Sequence, residues 1–193
     1  MPHLLRALLA ALGVLVAAVM PAQARSLDFG TLRCWALAAK WDSADANDKT
    51  TANYVLNWMA GYHAGEAHGT VYNAQDMTTA MTKTVTYCRE NPNSGVLAAS
   101  KGFMGSHIIT SEGAGAVDLS SKTCTAILNA KGDDGERLNT LWWLAGYHAS
   151  AREKNGTQIR FQDLADKMRE IIAFCADNPN LGLMIVSDKY LAE

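Results

Sequence analysis

The chain has 193 residues, 49% of them hydrophobic and 8% aromatic, with 17 basic and 19 acidic side chains and a formal charge of −2. That apolar share is enough to build a core and excludes a chain that stays unfolded for want of one. The slightly acidic balance argues against nucleic acid and anionic membrane surfaces as partners.

Residues 1–24 read as a secretory signal peptide. Arg6 precedes an apolar run at 7–19, and Ala22-Gln23-Ala24 supplies the small residues a signal peptidase reads. Those 13 apolar residues are too few to span a hydrocarbon core. Cleavage before Arg25 is expected, leaving 169 residues that lose one basic side chain, Arg6, and carry a formal charge of −3. No other run approaches spanning length, so the mature chain is expected to be soluble and exported.

Residues 32–41, Leu-Arg-Cys-Trp-Ala-Leu-Ala-Ala-Lys-Trp, have apolar side chains at three and four spacing and predict a first helix. The polar stretch 42–48 predicts a loop that ends near a helix cap. A second helix follows, with Tyr54, Val55, Trp58, Met59 and Tyr62 on one face. Gly61 interrupts it at a cost of about 1 kcal/mol against alanine, which points to a close approach by a neighbouring helix or by a disulfide. His63, with His148 at the same place in the second copy of the motif, offers a symmetric pair of metal ligands or pH sensors. No HxxxH or HExxH partner shares its face, and His68 is poorly spaced, so a partly buried histidine bonded to backbone or carboxylate is the preferred reading. Asp76 is placed to cap a third helix carrying Met77, Ala80, Met81, Thr84, Val85 and Cys88 at helical spacing, with the methionines read as core. Asn91-Pro92 stops it, and 96–104 predicts a short amphipathic helix.

A stretch rich in Gly, Ser and Ala at 106–121 reads as a linker, after which the plan recurs. Helices are predicted at 123–128, 138–151, 161–175 and 181–191, with no strand-like alternation between them. Trp58-Met59-Ala60-Gly61-Tyr62-His63-Ala64 returns 85 positions later as Trp143-Leu144-Ala145-Gly146-Tyr147-His148-Ala149. Cys34 and Cys124 precede the two copies. Cys88 and Cys175 follow them, each opening Cys-x-x-Asn-Pro-Asn. Such self-similarity is an internal duplication, and the fold class expected is all-α: two tandem small helical bundles, at 25–105 and 106–193. Four cysteines in an exported chain predict two disulfides, and sequence alone permits three pairings. If each copy descends from a self-sufficient unit, the bridges are Cys34 to Cys88 and Cys124 to Cys175, each pinning one bundle. With no CxxC or CxxxC pair, no GxSxG, no P-loop and no dinucleotide fingerprint, neither a metal, nor a cofactor, nor an enzyme is expected.

Cys34, Trp58-x-x-Gly61-Tyr62 and Cys88-x-x-Asn91-Pro92, met again as Cys124, Trp143-x-x-Gly146-Tyr147 and Cys175-x-x-Asn178-Pro179, resemble the HdeA/HdeB family of periplasmic acid-stress chaperones. The resemblance implies small helical units, each pinned by one disulfide. It also implies an ATP-independent holdase that dimerises at neutral pH and loosens in acid to bind unfolding periplasmic proteins. This sequence departs from the pattern in fusing two units, so a repeat-to-repeat pseudo-dimer is the expectation, with the tethered partner at high effective concentration at any pH. The Rap1a-type immunity proteins, which inhibit secreted amidases, share a Gly-Tyr helix and an Asn-Pro segment. Their Asn-Pro pair lies further beyond the cysteine, so the contiguous Cys-x-x-Asn-Pro favours the chaperone family.

Overall fold

The computed structural model describes residues 26–105, 115–130, 134–152 and 157–192. The expected signal peptide and the first part of the expected linker lie outside them. In the first half, strand β1 (Ser26–Asp28) leads to helices α1 (Cys34–Asp42) and α2 (Ala46–Glu66), strand β2 (Val71–Asn73), and helices α3 (Ala74–Glu90) and α4 (Val96–Met104). The second half keeps the order: β3 (Ala116–Asp118), a 3-10 turn at Leu119–Ser121, α5 (Thr125–Leu128), α6 (Asp134–Ser150), β4 (Gln158–Arg160), α7 (Phe161–Asp177) and α8 (Leu183–Leu191). The fold is all-α in two halves, as the sequence predicts. Among the described residues, no helix is long and apolar enough to cross a membrane.

Four strands appear where none is predicted. Each is three residues long, too short for alternation to register as a pattern. They pair across the halves and antiparallel: Leu27 lies opposite Ile159 in β1–β4, and Tyr72 opposite Val117 in β2–β3. The end of the stretch read as a linker is therefore built into the fold, where Leu119 is buried.

The repeated Cys-x-x-Asn-Pro-Asn has a local physical purpose. Arg33 precedes helix α1 at the cap position and gives it no side-chain cap, so the first N–H groups of the helix need other acceptors. Cys34 N–H donates to the Ser94 carbonyl at 2.9 Å and Trp35 N–H to the Pro92 carbonyl at 2.9 Å. Cys124 and Thr125 find the Leu181 and Pro179 carbonyls at 2.9 and 3.0 Å. The asparagine before each proline closes the preceding helix, because Asn91 and Asn178 donate from Nδ2 to the carbonyls of Tyr87 and Phe174. Helix α3 is capped by Asn73, which accepts from the N–H groups of Gln75 and Asp76. Asp76 falls inside the first turn instead, because β2 delivers the chain to the helix three residues earlier than the apolar period alone suggests.

Bridges Cys34–Cys88 and Cys124–Cys175 join the first and third helices of each half, with Cα atoms 4.5 and 5.0 Å apart. A single core cluster runs through both halves, from Phe29, Leu56, Trp58 and Met59 to Leu141, Trp143, Leu144 and Ile171. The one-face stripe predicted for α2 is too narrow. From Val55 to Gly65 only Tyr62 escapes full burial, since α2 lies between its own half and α6 and has no solvent face there.

Candidate functional site

Helices α2 and α6 carry the two copies of the repeated motif, and they pack against each other. A Cβ added to Gly61 would stand 1.8 Å from the Trp143 carbonyl oxygen, and one added to Gly146 would stand 1.9 Å from that of Trp58. The contact is thus reciprocal, each glycine receiving the backbone one turn before the other. Gly65 continues the line: its Cβ would meet Ser150 Oγ at 2.1 Å and the Tyr147 carbonyl at 2.5 Å. Of the two explanations the sequence offers for Gly61, the neighbouring helix is the one realised, and it belongs to the other half.

Aromatic rings close over this seam. Trp58 stacks on Phe29 with centroids 4.0 Å apart and on Tyr62 at 5.2 Å, while Trp143 stacks on Tyr147 at 5.4 Å and meets Tyr72 of the other half at 5.9 Å. Both indole N–H groups, Trp58 Nε1 and Trp143 Nε1, are buried with no hydrogen-bond partner, each at a cost of about 1–3 kcal/mol. The seam also holds amides that the sequence reading passes over. Asn53 and Asn57 both donate from Nδ2 to Asn139 Oδ1, at 3.0 and 3.2 Å. Their signal is weak: two asparagines at i and i+4, of which only Asn57 falls within the apolar part of the helix.

At the rims, carboxylates fasten the strand pairs. Asp28 Oδ1 accepts from Thr157 Oγ1 of the other half at 2.9 Å and from Gly30 N–H at 2.8 Å. Asp118 Oδ1 accepts from Thr70 Oγ1 at 2.9 Å, and from Ser120 Oγ and N–H at 2.7 and 2.9 Å. The Ser120 hydroxyl, then Thr70 and the Ser120 N–H, hold the Asp118 carboxyl below the usual carboxylate range. These residues are absent from the sequence reading, yet a signal for them exists. Leu27-Asp28-Phe29 matches Val117-Asp118-Leu119 at the 90-residue offset of the first cysteines, and Gly69-Thr70 matches Gly156-Thr157 at the 87-residue offset of the second.

His63 and His148 follow the preferred reading and add to it. His63 is 2% exposed, with Nδ1 3.0 Å from Glu66 Oε2 and Nε2 2.9 Å from Ser100 Oγ of α4. His148 is 6% exposed, with Nδ1 3.5 Å from Asp188 Oδ1 and Nε2 2.9 Å from Ser187 Oγ of α8. Burial pushes both imidazoles below the ordinary histidine value, against the pull of the carboxylates. No group of three or more metal-ligating side chains occurs among the described residues.

Residues 4–98 match the model of the HdeA/HdeB family. No curated protein and no solved structure matches the chain.

Proposed function

We propose, on the premise that this chain belongs to the HdeA/HdeB family through its first half, that it is a periplasmic acid-stress chaperone: an ATP-independent holdase that opens in acid and holds unfolding proteins. The second half is taken as a further copy of the same unit, giving a first unit at 25–105 and a linker with a second at 106–193. The family is one of periplasmic acid-stress chaperones, and the seam is what supports an opening mechanism here. Among the described residues, the facing motif helices bury Leu56, Trp58, Met59, Trp143 and Leu144 at the seam. Only Trp35, Leu181 and Ile185 are exposed large hydrophobics among the described residues, so the closed form offers a client little.

Acid acts on this arrangement in two ways. Neutralising the rim carboxylates, Asp28 and Asp118, weakens the charge-assisted hydrogen bonds they accept from the Thr157, Thr70 and Ser120 hydroxyls and from the Gly30 and Ser120 N–H groups. Over the whole mature chain, 16 basic side chains and His63, His68, His107 and His148 are left charged as 19 carboxylates neutralise, moving the formal charge from −3 towards roughly +20. Self-repulsion then favours separated halves, while each disulfide keeps its half from unravelling. The exposed motif helices, around Trp58 and Trp143, become the client surface. The tether holds the halves at high effective concentration, so neutralisation closes them again.

Light scattering of an acid-denaturing client, with and without the purified mature chain over falling pH, tests this directly. Suppression confined to acid is the expected result. Co-precipitation with the client, or protection no better than that given by an unrelated disulfide-bonded helical protein, refutes it. Stoichiometric binding to one folded enzyme at neutral pH points to the immunity class instead.

A further inference from the structure

We infer that His63 and His148 are latches: each clips the last helix of its half, α4 or α8, to the motif helix, and each lets go when the carboxylate beside it, Glu66 or Asp188, loses its charge. This deepens the acid response of the proposed chaperone and rests on that reading for its purpose, though not for its chemistry.

The hydrogen-bond inventory carries the inference. Ser100 Oγ lies 2.9 Å from His63 Nε2 and 3.0 Å from the Leu97 carbonyl, and Ser187 Oγ lies 2.9 Å from His148 Nε2 and 3.0 Å from the Met184 carbonyl. Each hydroxyl has one proton to give. At His63 the ionised Glu66 carboxylate, 3.0 Å away, only accepts, so Nδ1 must be a donor; at His148 the Asp188 carboxylate, 3.5 Å away, favours the same tautomer by its charge. In the neutral ring Nε2 then takes the serine proton, and the helix carbonyl receives nothing from the hydroxyl. When the ring gains a proton, Nε2 donates to the serine oxygen and the hydroxyl turns to the carbonyl. Every group is then paired without movement of a heavy atom, and the imidazolium sits beside a carboxylate. Charging the histidine therefore does not open the latch. Neutralising the carboxylate does, because it leaves a buried cation with no counter-charge.

The surroundings of the two rings differ in a way that orders the events. His63 is faced by Glu66 and Tyr62 from its own helix and by Ser100 and Lys101 from α4, with Lys101 Nζ 3.5 Å from Glu66 Oε1. His148 is faced by Tyr147 and Arg152 on its own side and by Ser187 and Asp188 from α8. Glu66 is closer to its ring, at 3.0 against 3.5 Å, and less exposed, at 37% against 69%. A cation opposes the charge on each ring, Lys101 at His63 and Arg152 at His148, so the carboxylates set the order, and the longer, more exposed pair of His148 and Asp188 gives way first, releasing α8 before α4. Its release uncovers Leu183, Val186 and Leu191, all buried in the closed form.

Amide hydrogen exchange of the full mature chain between pH 8 and 3, corrected for intrinsic rates, reads the two helices separately. In the parent, α8 loses protection first as the pH falls, and α4 follows at lower pH. Asp188→Asn keeps an acceptor for Nδ1 but no charge, so it moves the α8 midpoint upward by about two pH units, towards the histidine range, and leaves α4 alone. Glu66→Gln does the converse. Ser187→Ala, which cannot accept from Nε2, also raises the α8 midpoint and serves if the asparagine variant fails to fold at pH 8. Midpoints that coincide with the parent's, or loss of protection in all helices at once, overturn the latch. Scattering of the client separates the two proposals. Helix release without protection refutes the holdase and leaves the latch standing, whereas protection in acid with unmoved midpoints refutes the latch alone.

Discussion

Alanine at position 61 is the sharpest test of the seam, because two opposing effects have calculable sizes. In an isolated helix the change gains about 1 kcal/mol from propensity. Here the new Cβ would stand 1.8 Å from the Trp143 carbonyl oxygen, where ordinary contact begins at 3.4 Å, a shortfall of about 1.6 Å. The obstacle is backbone, so no rotamer relieves it, and α2 and α6 must part. Trp58, Trp143, Leu56 and Leu144 all sit between or beside them at no more than 1% exposure. Overpacking of this kind costs about 3 kcal/mol at the upper end of its usual range, and the net expectation is a loss of about 2 kcal/mol. Gly102 is the control: it lies within α4, and a Cβ there meets nothing within 4 Å, so Gly102→Ala should gain up to about 1 kcal/mol. Urea titration at pH 7 with disulfides intact, followed by tryptophan emission, reads both. Because both glycines act on one seam, adding Gly146→Ala to Gly61→Ala should cost less than it costs alone. A Gly61→Ala protein as stable as the parent, or more so, would refute the close packing of the two motif helices.

Removing one bridge as the pair Cys34→Ala with Cys88→Ala, a separation of 54 residues, should cost about 4 kcal/mol on the chain-entropy estimate, read as a lower urea midpoint. Asn139→Leu withdraws the shared acceptor of Asn53 and Asn57, leaving Asn57, 2% exposed, short of a partner. A loss of about 1–3 kcal/mol is expected in the same titration. The pH dependence has a definite sign. Asp118 is lowered from its ordinary 3.8 when folded, so its contribution is present above that value and lost as pH falls through the folded one. Asp118→Asn should therefore flatten the fall in stability below about pH 4. His63 and His148, lowered from 6.5 by burial, act in the same sense, since the unfolded chain binds their protons first. Their contribution is complete above about pH 6.5 and fades below it, so Gln at both positions should flatten the slope between pH 7 and 5 in melts across that range.

What could be read in the sequence is what a local period or an identical repeat encodes. The amphipathic spacing from Met77 to Cys88 gives α3, the run at 96–104 gives α4 residue for residue, and Pro92 and Pro179 mark the helix ends. Gly61 and Gly146 announce a close approach because their cost in a helix demands a reason. What approaches them is not local, and no period in one helix names its partner. For the same reason the face of α2 is underestimated, since a helix covered from both sides has no polar face to define its stripe. The strands escape because three residues carry too little pattern, and the Asp28 and Asp118 fastenings because a shared Leu-Asp-Phe or Val-Asp-Leu is weak until the cysteine offsets align it. The histidines' serine partners lie 37 and 39 residues away, beyond the reach of helical spacing.

The crossed pairing of the strands also dictates an order of events when the chain folds. Ser26 is hydrogen-bonded in a ladder whose other side is Arg160, so the first segment of the fold cannot be seated until the chain has run through α6 to β4. Closing so long a loop costs entropy that only the finished seam returns, and contacts of such separation slow folding. Each disulfide, by contrast, can form as soon as its own third helix exists. The covalent bonds are therefore free to come before the β1–β4 pair, which makes a bridged chain still open at that edge the natural intermediate of folding, and the same species the closed form would return to when its seam gives way.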